Sequence, residues 1–321
     1  MCPDIISLGE LLVEIMRTEL NTPHGTIGAT YKGPYPSGAP ANFISSAARM
    51  SKPFKLTTGY IGVIGNDEFG ECIIRKLKQD NVDLTHIRVS EKEPTGIAFN
   101  QYNSDGSRKF IFSKGAAGET SPQDIKEDYF KEIKSLHITG SALSISNKSR
   151  DACLKAINMA KKNNPDVIIS FDPNLRPEML DLNEILEISK PILEATEILL
   201  PSGEEAEMLA GVKGSKKACQ TLLGMGPKLV VLKQGKKGTT IFTNDNPIGI
   251  NIMGFNIIEV DPTGAGDAFA GAFIVGYLKG WDLKKIGVFS NAVGALKVES
   301  FGPMPDTSYK ETMNLIERSK I

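Results

Sequence analysis

Residues 261–271 read DPTGAGDAFAG, and this stretch decides which fold the rest of the chain is expected to adopt. Gly264, Ala265 and Gly266 stand directly before the carboxylate of Asp267, and an apolar helical pattern follows. Small residues let the backbone turn tightly and expose its N–H groups, and a helix N-terminus attracts anions. Such an anion cradle beside a carboxylate that can accept a proton is typical of a site for phosphoryl transfer.

The composition of the chain excludes several classes of protein. The 321 residues carry a net charge of −1 and are 40% hydrophobic, which predicts neither a nucleic-acid surface nor a membrane surface. Four cysteines and three histidines are widely scattered, so neither a disulfide framework nor a histidine metal centre is indicated. The first residues contain no cationic leader, and we expect a cytoplasmic protein.

The second half of the chain alternates between strand-like and helix-like segments. This alternation predicts a mostly parallel sheet that is covered by helices on both faces. Short apolar runs give the strand candidates, which are Ser135–Ile138, Val167–Phe171, Glu197–Leu200, Leu229–Leu232 and Thr239–Phe242.

Two polar segments of the first half, residues 11–36 and 95–113, have a different pattern. The first mixes polar and apolar residues with glycine and proline, and the second alternates around a turn at Asp105-Gly106. Both patterns indicate β-hairpin structure. Whether the two segments meet, or are ordinary edge strands, stays open at this point.

Three further motifs place polar side chains where a ligand could bind. Residues 37–42 (SGAPAN) combine small residues with an amide, and residues 170–177 (SFDPNLRP) end an apolar strand with an acid, an amide and an arginine. Open α/β sheets bind ligands at that end of their strands. Residues 233–238 (KQGKKG) follow another apolar strand, and their glycines would permit close approach of a phosphate or simply form a hairpin turn.

The stretch 261–271 closely resembles the C-terminal signature of the ribokinase-like (PfkB) carbohydrate kinases, and the other motifs match that family from Gly9 to about Pro305. The resemblance implies a three-layer α/β/α fold with a mostly parallel central sheet. It also implies a single domain over residues 1–321, in which segments 11–36 and 95–113 form a small β-sheet lid over the sugar. In the family the aspartate is the catalytic base, so Asp267 is expected to be the base here. The backbone N–H groups of Gly264, Ala265 and Gly266 would form the anion hole.

The resemblance also implies sugar ligands, with departures from the usual pattern. Gly38 and Asn42 match the N-terminal signature, although Ser37 replaces its first glycine. Glu14 stands where an aspartate usually binds two sugar hydroxyls. Arg176 belongs to a segment that resembles fructokinases and 2-keto-3-deoxygluconate kinases, and Asp267 would also contact the sugar.

ATP and Mg²⁺ are the cofactors that the resemblance implies. Glu205 would organise Mg²⁺ through water, although Ser202 replaces the asparagine that usually precedes it, and Asp261 lies where a monovalent cation such as K⁺ is often held. The residues expected to bind the nucleotide are Lys233, Gly235, Gly238, Gly264, Gly266 and Asn291.

The acceptor sugar is the least determined part of this prediction. Ser113 stands where sugar-acid kinases, and many fructokinases, carry an arginine. That loss favours phosphorylation of a primary hydroxyl of a neutral ketohexose such as fructose, although Lys114, Arg108 or Arg176 could replace the missing cation. A 2-keto-3-deoxygluconate kinase and a non-catalytic sugar- or nucleotide-binding regulator remain alternatives, as does a homodimer formed through the lid.

Overall fold

The strands and helices come from a computed structural model that describes residues 2–104 and 108–319. The turn predicted at Asp105-Gly106 lies outside the described residues. The strands are β1 (Ile5–Glu10), β2 (Leu12–Arg17), β3 (Tyr31–Ser37), β4 (Thr58–Ile64), β5 (Val82–Val89), β6 (Gly96–Tyr102), β7 (Arg108–Ser113), β8 (Ser135–Thr139), β9 (Ile168–Asp172), β10 (Ile198–Leu199), β11 (Leu229–Lys233), β12 (Thr239–Thr243) and β13 (Ile250–Ile252).

Helices connect most of the strands. They are α1 (Ala39–Ser51), α2 (Glu68–Gln79), α3 (Gly140–Ile145), α4 (Asn147–Asn163), α5 (Leu182–Ala195), α6 (Gly203–Ala210), α7 (Ser215–Leu223), α8 (Ala265–Leu278), α9 (Leu283–Val298) and α10 (Tyr309–Ser319).

A nine-stranded sheet forms the middle layer, in the order β13-β12-β11-β10-β9-β8-β1-β4-β5. The strands from β11 to β5 in that order pair in parallel, and β12 and β13 add an antiparallel edge. Successive side chains of a strand point to opposite faces. Thus Ile5 of β1 belongs to the core under α1 and α8, whereas Ile6 belongs to the core on the other face. The predicted α/β/α layering with a mostly parallel sheet is confirmed.

A separate sheet of four strands, in the order β3-β2-β6-β7, is called the small sheet below. It joins the two polar segments, because β2 pairs in parallel with β6 while β3 and β7 pair antiparallel on the outside. Leu11 alone separates β1 from β2, so the small sheet begins directly beyond the carboxyl end of a central strand of the large one.

Two features of the large sheet differ from the pattern predicted along the chain. The sequence pattern does not predict strand β5, because Asp83, His86 and Arg88 interrupt its apolar residues. The strand lies at an edge of the sheet, where polar side chains reach solvent. Strand β12 runs antiparallel to β11, because a connection of residues 234–238 is too short for a parallel crossover.

Two further observations bear on the composition. Cys153 and Cys219 are buried free thiols, and Cys2 and Cys72 are half-buried free thiols. Within residues 2–104 and 108–319, the helices are too short or too polar to cross a membrane.

Candidate active site

The site is centred on the point where the connections of the large sheet diverge. From β1 the chain continues through α1 to β4 on one side, and from β8 it continues through α3 and α4 to β9 on the other. Such a divergence leaves a crevice at the carboxyl ends of the two strands, where open α/β sheets bind ligands. Glu10 ends β1 and Ser141 follows β8, and the Ser141 hydroxyl donates to Glu10 Oε1 at 2.6 Å.

The turn before α8 requires the glycine at its centre. Gly264 has a φ of 78°, and a Cβ at this position would lie 2.7 Å from the Pro303 carbonyl oxygen. The first helical hydrogen bond runs from Ala268 N to Gly264 O, so the amides of residues 265–267 precede it. The Ala265 N–H donates instead to Pro262 O at 3.2 Å, which leaves Gly266 as the better-placed donor for an anion.

Asp267 lies in the first turn of α8 and is only 7% exposed. Helices α1 and α8 approach closely, and the Ser46 hydroxyl donates to Ala268 O across their interface. This contact brings Asn42 over the carboxylate, and Asn42 Nδ2 donates to Asp267 Oδ2 at 2.9 Å. Burial raises the pKa of Asp267, although Asn42 and the Lys233 ammonium oppose the increase. A raised pKa makes this carboxylate a better proton acceptor.

Glu14, on β2 of the small sheet, is held by two side chains. The Ser37 hydroxyl donates to its Oε1 at 2.6 Å, and Asn100 Nδ2 donates to its Oε2. Burial raises the pKa of Glu14. Gly38 lies at the start of α1 and has a φ of 116°. A side chain does not fit at this position, because a Cβ would lie 2.2 Å from Glu10 O. The replacement of a glycine by Ser37 therefore provides a partner for Glu14.

Glu10 is a site residue that the sequence motifs did not single out. It is 2% exposed, and the Ala39 amide and the Ser141 hydroxyl both donate to its Oε1, while Oε2 has no partner among the described residues. Burial raises its pKa to about 7. The sequence signal for Glu10 is an acid at the carboxyl end of a short, mostly apolar strand, which is the same argument that identified Asp172.

A second cluster of charges lies at the ends of β9 and β11. Lys233 Nζ forms an ion pair with Asp172 Oδ2. Although burial alone would lower the pKa of Lys233, the Asp172 and Glu205 carboxylates raise it, so the ammonium stays charged. Ser202 and Glu205 form a capping box at the start of α6, and Glu205 Oε1 also accepts from the Leu175 amide at 3.2 Å.

A cavity of about 440 Å³ lies over this charge cluster. Gly235 and Gly238 line it from the loop between β11 and β12, and Asn291 lines it from α9. Asn291 Nδ2 donates to the carbonyls of Ile252 and Met253 at 3.3 and 3.1 Å, so its amide supports the backbone of the cavity wall. All the residues expected to bind a nucleotide line this one cavity.

A smaller cavity of about 60 Å³ lies between the small sheet and the carboxyl end of β1. Glu14, Gly38 and Asn42 line it together with Glu10 and Ser141. Four residues line both cavities. They are Arg108 from β7, Arg176 from the loop after β9, the turn residue Gly264 and the buried acid Asp267 of α8.

Phe110 organises the two arginines. The guanidinium of Arg176 lies 5.6 Å from the centre of its ring, and that of Arg108 lies 5.9 Å from it. Both guanidinium groups line the smaller cavity, so they supply positive charge there although position 113 is a serine where an arginine is expected. Asp261, the residue expected to hold a monovalent cation, lines neither cavity and instead contacts Lys297.

Comparison with known sequences agrees with this geometry. The sequence profile described as pfkB family carbohydrate kinase matches residues 3–309. The chain is a member of this family. It is therefore a carbohydrate kinase with a ribokinase-like fold, and the resemblance seen in the stretch 261–271 is confirmed.

Two relatives of known name and one solved structure are similar to this chain over most of its length. A 5-dehydro-2-deoxygluconokinase of Clostridium botulinum is 30% identical to the chain, over 99% of this chain and 94% of the relative. The Clostridium perfringens protein of the same name is 31% identical, over 92% and 87%. A crystal structure of an E. coli protein provisionally designated Ribokinase II, in complex with ATP and Mg²⁺, is 38% identical, with a TM-score of 0.89 over 98% of this chain and 99% of that one.

Proposed function

We propose that this chain transfers the terminal phosphoryl group of ATP to the primary hydroxyl of a keto sugar acid of the deoxygluconate class. The observation that carries the proposal is the position of Asp267 and Gly264 at the junction of two cavities of different character. A sugar hydroxyl in the smaller cavity and a phosphate in the larger one would meet beside this base and this turn.

Asp267 is suited to the role of general base. Its carboxylate is buried, oriented by Asn42 and flanked by the charged Lys233. As a sugar oxygen attacks the phosphorus, its proton would pass to Asp267, and the bond from that phosphorus to the bridging oxygen of ADP would break. The N–H groups at the start of α8, together with Lys233, would stabilise the negative charge on the transferring group.

The chemistry of the larger cavity fits Mg²⁺ bound mainly through the nucleotide. No cluster of three or more possible metal-ligating side chains exists within residues 2–104 and 108–319. Mg²⁺ in phosphate sites usually keeps several waters and takes only one or two carboxylates, and Asp172 and Glu205 offer those carboxylates here. Bound there, Mg²⁺ would neutralise charge on the phosphates, and Glu205 would hold one of its waters.

The choice of a sugar acid over fructose rests on Arg108 and Arg176. A carboxylate needs a cationic partner, ideally the planar fork of a guanidinium, and both arginines line the smaller cavity. The relatives named above also carry the name of a gluconate derivative, which is an acid. The ketohexose preference drawn from Ser113 therefore becomes the weaker alternative.

The first experiment measures ADP release with Mg-ATP against four conditions: 5-dehydro-2-deoxygluconate, 2-keto-3-deoxygluconate, fructose and no acceptor. We expect release with one of the two sugar acids. Asp267→Asn retains an oxygen that can accept from Asn42, so it should fold, yet lose roughly 10² to 10⁴ in kcat. Turnover near the wild-type rate in this variant would contradict the assignment of the base. Release with fructose alone would favour the ketohexose, and silence in every condition would favour the non-catalytic alternative.

The role of Arg176 is tested separately from that of the base. A hydrogen bond to a charged group contributes about 1.5–3 kcal/mol, so Arg176→Met should raise KM for the sugar acid by roughly 10- to 100-fold. Lys109→Met is the control, because it also removes a positive charge of the chain but at an exposed position outside both cavities. An equal effect of Arg176→Met on KM for fructose would contradict a role in carboxylate recognition.

A further inference from the structure

A buried lysine lies at the place where the sequence predicts a monovalent cation. Lys297 belongs to the last turn of α9 and is only 1% exposed. Its ammonium donates to the carbonyl of Asp261 at 2.6 Å and to the carbonyl of Ser300 at 3.1 Å, and it lies 3.5 Å from Asp261 Oδ2. Lysine is rarely buried to this degree without charged or polar partners, and here three oxygens surround the ammonium.

These oxygens belong to two segments that the ammonium joins. Asp261 begins the stretch that leads to Gly264 and Asp267, and Ser300 belongs to the loop after α9. The Asp261 carboxylate extends the connection, because its Oδ1 accepts from the Thr263 amide at 2.9 Å and its Oδ2 accepts from the Gly302 amide at 2.8 Å. Tyr102, from the small sheet, donates to Asp261 Oδ1 at 2.8 Å.

This arrangement does not fit a bound K⁺ ion. A monovalent cation needs several carbonyl or carboxylate oxygens around one point, and Lys297 already places a positive charge among those that Asp261 and Ser300 present. A second cation within a few ångströms would be repelled strongly in a buried environment. Burial lowers the pKa of Lys297, but the adjacent Asp261 carboxylate favours the charged form and opposes the decrease. The expectation of K⁺ at Asp261 is thus not supported by the geometry.

We propose that the Lys297 ammonium is a built-in cation that holds the anion-hole segment in place, so that the activity of this kinase does not depend on K⁺ or any other monovalent cation. The activity arm of the test rests on the proposed function, whereas the thermal-unfolding arm does not. If no acceptor supports ADP release, the proposed function fails, and unfolding alone decides the role of Lys297.

The wild-type protein gives the first result. Rates and melting temperatures are measured in potassium, sodium or tetramethylammonium chloride at a constant ionic strength of about 0.1 M. We expect the same rate in all three salts within about threefold, and the same melting temperature in potassium as in tetramethylammonium. Activation by K⁺ of more than threefold, or a K⁺-specific rise in melting temperature, would overturn the proposal.

Two variants separate the charge of Lys297 from its volume. Lys297→Ala leaves space where an ion could bind, whereas Lys297→Met fills that space without a charge. In tetramethylammonium chloride both variants should have a lower melting temperature and a lower rate than the wild type. K⁺ should restore the melting temperature and the rate of the alanine variant only. Lys284→Met, at an exposed position of the same helix, is the control. Wild-type behaviour of both Lys297 variants without K⁺ would refute the role of the ammonium; if neither variant folds, the wild-type salt comparison decides.

Discussion

Replacement of Glu10 by glutamine should make the protein less sensitive to pH, and the structure gives the size of the effect. Glu10 is buried at the carboxyl end of β1, and burial raises the pKa of its carboxyl from 4.5 to about 7. The folded protein then binds more protons at this residue than the unfolded chain does between these pH values. Stability linked to Glu10 is therefore greatest at low pH and falls as the pH rises towards 7.

The magnitude follows from the free energy that corresponds to each unit of pKa, about 1.4 kcal/mol. A rise from 4.5 to about 7 corresponds to about 3 kcal/mol in full, of which about 2–3 kcal/mol develops between pH 5 and pH 8. Glu10→Gln lacks this titration but keeps an oxygen that can accept from Ser141 and the Ala39 amide. The free energy of unfolding of Glu10→Gln, relative to that of the wild type, should therefore increase by that amount as the pH rises from 5 to 8.

The assay is urea unfolding of both proteins at several pH values in that range, without sugar or nucleotide. Glu187→Gln, at an exposed position of α5, is the control and should follow the wild-type curve. The test compares how the free energy of unfolding changes with pH, not its absolute value. A new buried amide without a hydrogen-bond acceptor would destabilise the variant at every pH. Parallel curves for Glu10→Gln and the wild type would refute the claim that burial destabilises the charged form of this carboxyl.

Two other substitutions test the turn and the charge cluster. Gly264→Ala should cost about 1–3 kcal/mol of stability from the positive φ, and at least tenfold in kcat because a Cβ would press on the Pro303 carbonyl. Gly280→Ala is its control, with a φ of 67° and open space around the position, and equal losses of kcat in the two variants would contradict the steric argument. Lys233→Met should raise KM for Mg-ATP and lower stability by about 3–5 kcal/mol, since it leaves Asp172 buried without its partner. ATP kinetics and urea unfolding measure both effects, and an unchanged KM for Mg-ATP would argue against a phosphate contact.

The sequence by itself determined the parts of this protein that depend on neighbouring residues. The turn at Gly264, the helix after it and the acid in its first turn are encoded within a few positions, because backbone conformation and helix starts are local properties. Alternation of apolar runs with helical patterns likewise predicted the layered sheet. The two hairpin-like segments were recognised from their own patterns, whereas their pairing in one sheet followed only from the family resemblance and is confirmed by the small sheet.

Only the tertiary structure decided which distant residues meet. Asn42 contacts Asp267 across 225 positions, and Ser141 contacts Glu10 across 131. Those pairs follow from the order of strands in the sheet and the close packing of α1 on α8, which no local pattern specifies.

Lys297 is the sharpest case of this limit. In the sequence it is one of 37 lysines and arginines, yet in the fold its ammonium donates to the Asp261 carbonyl. Burial and the nearby oxygens, which arise only when α9 packs beside that loop, turn an ordinary lysine into a fixed internal cation.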